Sequence, residues 1–157
     1  GFPMQWSGFE TQAIDASHDT LVIDPVRMNI VNRIAAGAVV DGDLNLVGGL
    51  LLQGTLKGQG TIDGHLVVWH SGQIVGHFVV RGELYVLGHL GSIVDDVDNA
   101  TAVECHGTAY VASTGVCTGT VIANTLRMYD GATLQGPFRT RRAETHAAYS
   151  NVPSEDV

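Results

Sequence analysis

Between Gly42 and Val68 the chain alternates aliphatic and other residues in very short runs. Leu44 and Leu46, Leu50 and Leu52, Leu56, Ile62, Leu66 and Val68 carry the pattern, and glycine recurs at 42, 48, 54 and 60. Alternation predicts strands, because successive side chains point to opposite faces. A glycine every six residues predicts corners, because glycine takes positive φ without steric cost. Very short strands joined by regular corners predict a β-solenoid; a sandwich would show longer strands and wider turn spacing.

Equivalent inward positions stack into three columns. One reads Leu50, Leu66, Leu84, Ala109 and Leu126. A second reads Val39, Leu56, Ile74, Leu90, Cys117 and Leu134, and a third Leu44, Ile62, Phe78, Val103, Val121 and Phe138. Steps are mostly 16 to 18 residues. Three faces of about six residues per coil, repeated about six times, give a rod about 30 Å long at a strand spacing of about 4.8 Å. The step from Leu90 to Cys117 is 27 residues. The excess falls in the acidic stretch 94–100, expected to bulge from one corner as a solvated loop.

The division expected is an N-terminal arm over 1–33, the solenoid over 34–138 with its insert at 94–100, and a flexible tail over 139–157. Within the arm, Leu21, Val22, Ile23, Val26, Met28, Ile30 and Val31 form an apolar block. A solenoid exposes apolar interior and strand edge at its first coil, so residues 21–33 are expected to cap that coil, with a partner-binding arm as the rival. Met4 offers a natural start, with Gly1-Phe2-Pro3 ahead of it. No basic stretch followed by an apolar block is visible near the N-terminus, so no secretion signal is expected.

Charge and cysteine content narrow the function. The net charge of −8 argues against general nucleic-acid binding, which needs a basic footprint. Cys105 and Cys117 give neither zinc spacing nor a disulfide framework, and Cys117 falls in an interior column. No apolar run approaches membrane-span length. His65 and His70, with His77, His89 and His106, raise zinc chemistry, but no third ligand falls at suitable spacing, so solvated histidines are expected. Asp95, Asp96, Asp98 and Asn99 offer oxygen donors without the spacing of a calcium loop. No phosphate-binding glycine motif and no nucleophile elbow appear. No catalytic, cofactor or metal site is expected.

The runs Ala36-Gly37-Ala38-Val39-Val40-Asp41-Gly42-Asp43-Leu44, Leu50-Leu51-Leu52-Gln53-Gly54-Thr55-Leu56-Lys57-Gly58 and Gly131-Ala132-Thr133-Leu134-Gln135-Gly136, in this order and spacing, resemble the bactofilins. The resemblance covers about residues 34–138. It implies an all-β, single-domain, right-handed β-helix that polymerises end to end, without nucleotide, into nonpolar filaments. It also implies a cytoplasmic scaffold for cell-wall or morphogenetic proteins, often at the inner membrane. The 94–100 insert and the N-terminal region depart from the family pattern. At the N-terminus, Met4, Trp6 and Phe9 are the candidates for membrane contact, because tryptophan and phenylalanine favour the interface.

For such a rod the open ends are the expected contact surfaces, with Val39 and Leu44 at one end and Leu134 and Phe138 at the other. Two alternatives stand beside the filament. One is a trimeric left-handed hexapeptide-repeat enzyme, an acyltransferase or carbonic-anhydrase-like protein. The other is a monomeric solenoid that binds a protein partner.

Overall fold

The computed structural model describes residues 12–16 and 19–141. Strands β1 (Gln12–Ala16) and β2 (Asp19–Ile23) form an antiparallel pair separate from the other sheets. From there the chain winds through six stacked coils. The first contains β3 (Ile30–Ile34) and β4 (Val39–Val47), the second β5 (Gly49–Leu52) and β6 (Thr55–Asp63), the third β7 (Leu66–Val68) and β8 (Gln73–Val80). The fourth contains β9 (Leu84–Val86), β10 (His89–Leu90) and β11 (Ala102–Cys105), the fifth β12 (Thr108–Val111), β13 (Val116–Cys117) and β14 (Thr120–Ala123). The sixth contains β15 (Thr125–Met128), β16 (Thr133–Leu134) and β17 (Phe138–Thr140). Every pairing between coils is parallel. Stacking therefore starts at Ile30, ahead of the expected Ile34.

The first column holds throughout: Leu50 pairs with Leu66, Leu66 with Leu84, Leu84 with Ala109 and Ala109 with Leu126. The second holds from Leu56 to Leu134 but begins at Val40, which pairs with Leu56. Val39 pairs with Thr55 and is 62% exposed, so the expectation that it faces inward is corrected by one residue. The third column is also corrected. Leu44 stacks on Gly60, and Gly60 on Phe78, whereas Ile62 lies between Leu46 and Val80. Phe78 then continues to Val103, Val121 and Phe138 as expected. These inward residues form one continuous apolar core.

The long strands β4, β6 and β8 turn a corner without breaking. Gly42, Gly58 and Gly76 stand in register there, at φ of 138°, 121° and 122°. A Cβ on Gly58 would run into the carbonyl oxygen of Gly42, and one on Gly76 into that of Gly58. Glycine is required twice over, by the backbone angle and by the approach of the coil beneath.

One face of the rod is apolar on both sides. Leu51, Val67 and Tyr85 lie between inward-facing neighbours yet are buried, in an outer cluster that includes Leu21 and Ile23 of the arm. Strands buried on both faces read as unbroken apolar runs, here Leu50-Leu51-Leu52, Leu66-Val67-Val68 and Leu84-Tyr85-Val86. Leu21, Ile23 and Ile30 join this outer cluster, and the edges of β3 and β4 pair only with the second coil among the described residues. Further along this face Tyr85 stacks on Tyr110, 4.8 Å between ring centres. Burial and the Glu83 carboxylate push the Tyr85 phenol up, so it stays protonated and donates to Glu83 Oε1 at 2.8 Å.

Candidate functional site

In the fifth coil the inward residues Ala109, Val111, Cys117 and Val121 are fully buried. Their counterparts in the sixth are Leu126, Met128, Leu134 and Phe138, one on each column step. Leu126, Leu134 and Phe138 are half-buried, and Met128 is 44% exposed. The change in burial has a simple cause: no seventh coil among the described residues covers them. The first coil mirrors this, with Val40, Leu44 and Leu46 half-buried against the core. Leu44 lies in the first coil, and Leu134 and Phe138 in the sixth. Val39 lies on the flank of the first coil, near the end but outside its interior.

Both ends also present strand edges that have no ladder partner among the described residues. β3 and β4 end their ladders at one pole, and β15, β16 and β17 at the other. Such edges invite pairing with another chain unless charge, proline or a cap blunts them. β4 carries the exposed Asp41 and Asp43, and β17 the exposed Arg139. Met128, Leu126, Val40 and Leu46 are not among the end contacts expected from sequence. Their signal is present: each continues a column of inward residues to its last member.

The remaining candidates separate in space. His65 Nδ1 accepts from the Glu83 backbone N–H at 2.9 Å, His89 Nε2 lies 3.2 Å from the Ser92 carbonyl, and His106 Nε2 lies 3.2 Å from Glu104 Oε2. His65, His89 and His106 are half-buried and take structural contacts rather than standing fully solvated. No cluster of His, Cys, Asp or Glu suited to a metal occurs among the described residues. Cys105 and Cys117 are free thiols in the core, and burial pushes Cys117 up to about 12. It is a packing residue. Among the described residues no helix is long and apolar enough to cross a membrane. Met4, Trp6 and Phe9 lie outside the described residues, as do 142–157 of the expected tail.

The acidic loop differs from expectation at one residue. Asp98 is buried rather than solvated, and its carboxylate organises the loop base. It accepts from the N–H groups of Ser92 and Ala100, each at 2.9 Å, and from Thr101 Oγ1 at 2.7 Å. Burial alone would push its carboxyl up, but the hydrogen bonds from Thr101, Ala100 and Ser92 outweigh it and hold the group below the ordinary aspartate range. A depressed folded-state value means the stabilisation is complete above the unfolded value of about 3.9 and is lost as pH falls through the folded one. Asp98→Ala leaves two backbone donors and a buried hydroxyl unpaired, and is expected to destabilise by about 2 kcal/mol at pH 7. Denaturation midpoints of the two proteins should converge below about pH 4. A gap unchanged down to pH 2 would refute this role for the carboxylate.

Closed around its sides by coil-to-coil pairing, with apolar interior reaching both poles among the described residues, the molecule is a β-solenoid. A family model described as "Bactofilin: Polymer-forming cytoskeletal" matches residues 32–139. The chain belongs to the bactofilin family of polymer-forming cytoskeletal proteins, and its role is structural. The hexapeptide-repeat enzyme alternative gives way to this assignment. No curated protein and no solved structure is matched by the chain.

Proposed function

We propose that the chain polymerises end to end, without nucleotide, into nonpolar filaments that scaffold cell-envelope or morphogenetic proteins. The observation that carries this reading is the exposure of the interior columns at both poles, Met128 above all. Stacking a second rod on either pole buries apolar side chains and pairs free strand edges at once. Contacts of like with like, one at each pole, give an open filament without polarity when they alternate. The free energy comes from burial and pairing, so no nucleotide is required.

Pairing like ends brings the acidic edge strands β4 of two copies, with Asp41 and Asp43, into one contact. Salt screens that repulsion over a Debye length of about 10 Å at 0.1 M. The proposal therefore predicts that filaments form with no nucleotide present and pellet more completely as salt rises from 20 to about 300 mM. Failure to assemble in any salt would sink the function. Filaments that dissolve as salt rises would instead indicate head-to-tail stacking, in which Asp41 and Asp43 meet the Arg139 pole.

The polymer is assigned to the cytoplasm, against the inner face of the membrane when the stretch from Met4 to Phe9 inserts. The side-chain chemistry of Trp6 and Phe9 supports that assignment. Co-sedimentation with phosphatidylglycerol-containing vesicles is expected to fall at least about fivefold in Trp6→Glu/Phe9→Glu, since two aromatic anchors are lost. Equal pelleting of the variant would remove membrane contact from the account.

A further inference from the structure

The segment between β10 and β11 is an addition to an otherwise regular ladder. Leu90 pairs with Ile74 and Cys117, and Ala102 pairs with His77 and Thr120. In the coil before, Val75 and Gly76 connect these two positions; in the coil after, Thr118 and Gly119 do. In the fourth coil Gly91 and Thr101 fill the same places, and residues 92–100 are looped out between them. Pairing on either side is undisturbed.

The base of this loop is firmly built. Besides the three hydrogen bonds to the Asp98 carboxylate, Asp98 N–H donates to the Thr118 carbonyl at 2.8 Å and Thr118 Oγ1 to the Ser92 carbonyl at 2.9 Å. Thr101 Oγ1 accepts from Gly76 N–H at 3.1 Å, so the fold's own corner is tied into the loop. The tip is of the opposite character. Ile93 is 64% exposed, Val94 88% and Val97 43%, with exposed Asp95 and Asp96 between them. No hydrogen bond or ion pair holds either of these two carboxylates among the described residues. Three large aliphatic side chains held out to water on an anchored loop contribute nothing to the core, and such exposure marks an interaction site.

We propose that residues 92–100 form a docking loop for a basic peptide segment, carrying aliphatic or aromatic side chains, of a partner protein. The aliphatic tip supplies the apolar contact, and Asp95 and Asp96 select positive charge. A second copy's own loop fits poorly, because its Asp95 and Asp96 would face like charge. An anionic membrane surface is disfavoured by the same two carboxylates. This proposal does not depend on filament formation.

The register also defines the cleanest variant. Deleting 92–100 joins Gly91 to Thr101 and restores the two-residue corner of the neighbouring coils. Binding of the labelled full-length chain to an array of twelve-residue synthetic peptides, graded in lysine and in leucine or phenylalanine content, tests the idea. Binding is expected to rise with both contents, and to fall about tenfold or more on the deletion, the order expected when an apolar anchor leaves a contact. Asp95→Lys/Asp96→Lys, which leaves Asp98 and the loop base in place, is expected to shift preference toward acidic peptides. Equal peptide binding by the wild type and the deletion would overturn the proposal. So would a preference for acidic peptides in the wild type, a charge preference unmoved by the double variant, or an effect of the deletion on self-association or vesicle binding in place of peptide binding.

Discussion

Phe138→Arg is expected to end filament growth and leave discrete dimers. Phe138 closes its column on Val121 and is half-buried in the last coil. A guanidinium at this position would be trapped without a partner when a second rod stacks on it, at a cost of several kcal/mol. A loss of about 3 kcal/mol is roughly a hundredfold in the contact constant. Growth needs both poles, so blocking one leaves pairs joined at the other. Met128→Glu is the companion variant. Its side chain is already 44% exposed, so the fold loses little while the pole gains a charge. Sedimentation velocity and negative-stain microscopy read both effects. Filaments of unchanged length in both variants would remove the C-terminal pole from assembly. Monomers in place of dimers would convert the alternating contacts into a head-to-tail one.

The second large effect belongs to the corner where the coils touch. Gly58→Ala adds a Cβ directed at the Gly42 carbonyl, at a φ of 121°. Backbone strain of this kind costs about 1–2 kcal/mol, and the clash with main chain forces the coils apart. A total of about 4 kcal/mol is expected, at the severe end for single substitutions. Gly37→Ala separates the two contributions. Gly37 also has positive φ, 87°, but a Cβ there meets nothing within 4 Å. It should cost about 1 kcal/mol. Urea denaturation in the Met128→Glu background, at one fixed protein concentration, keeps filaments out of the measurement and holds any dimer contribution constant. Equal midpoints for the Gly58→Ala and Gly37→Ala variants would show that stacking, as distinct from backbone angle, does not demand glycine.

The repeat was legible because its columns are apolar and its corners are glycine. It was misread where those two signals mix. Val39 and Val40 are adjacent and chemically identical, so alternation alone cannot say which faces inward; the ladder to Leu56 decides it. Gly60 occupies an inward position and has no hydrophobic signature, so the third column was drawn through Ile62 instead. The arm shows a different limit. Its docking face was written in Leu51, Val67 and Tyr85, apolar residues at outward positions, but the solenoid pattern alone gives them no partner. Asp98 was hidden because its partners are main-chain N–H groups and a hydroxyl within a few residues, which leave little trace in composition. The ends were legible in part. Leu44, Leu134 and Phe138 follow from the columns, and Met128 follows once the column through Val86 and Val111 is extended.

The most direct test is the axial spacing in images of the filaments. Six coils at about 4.8 Å predict an advance of about 30 Å per chain, about 60 Å for the repeating pair of a nonpolar filament, and a layer line at about 4.8 Å along the axis. That result is what end-to-end stacking requires. An advance per chain well short of the rod's length, or the 4.8 Å spacing running across the filament instead of along it, would mean that the rods associate by their sides.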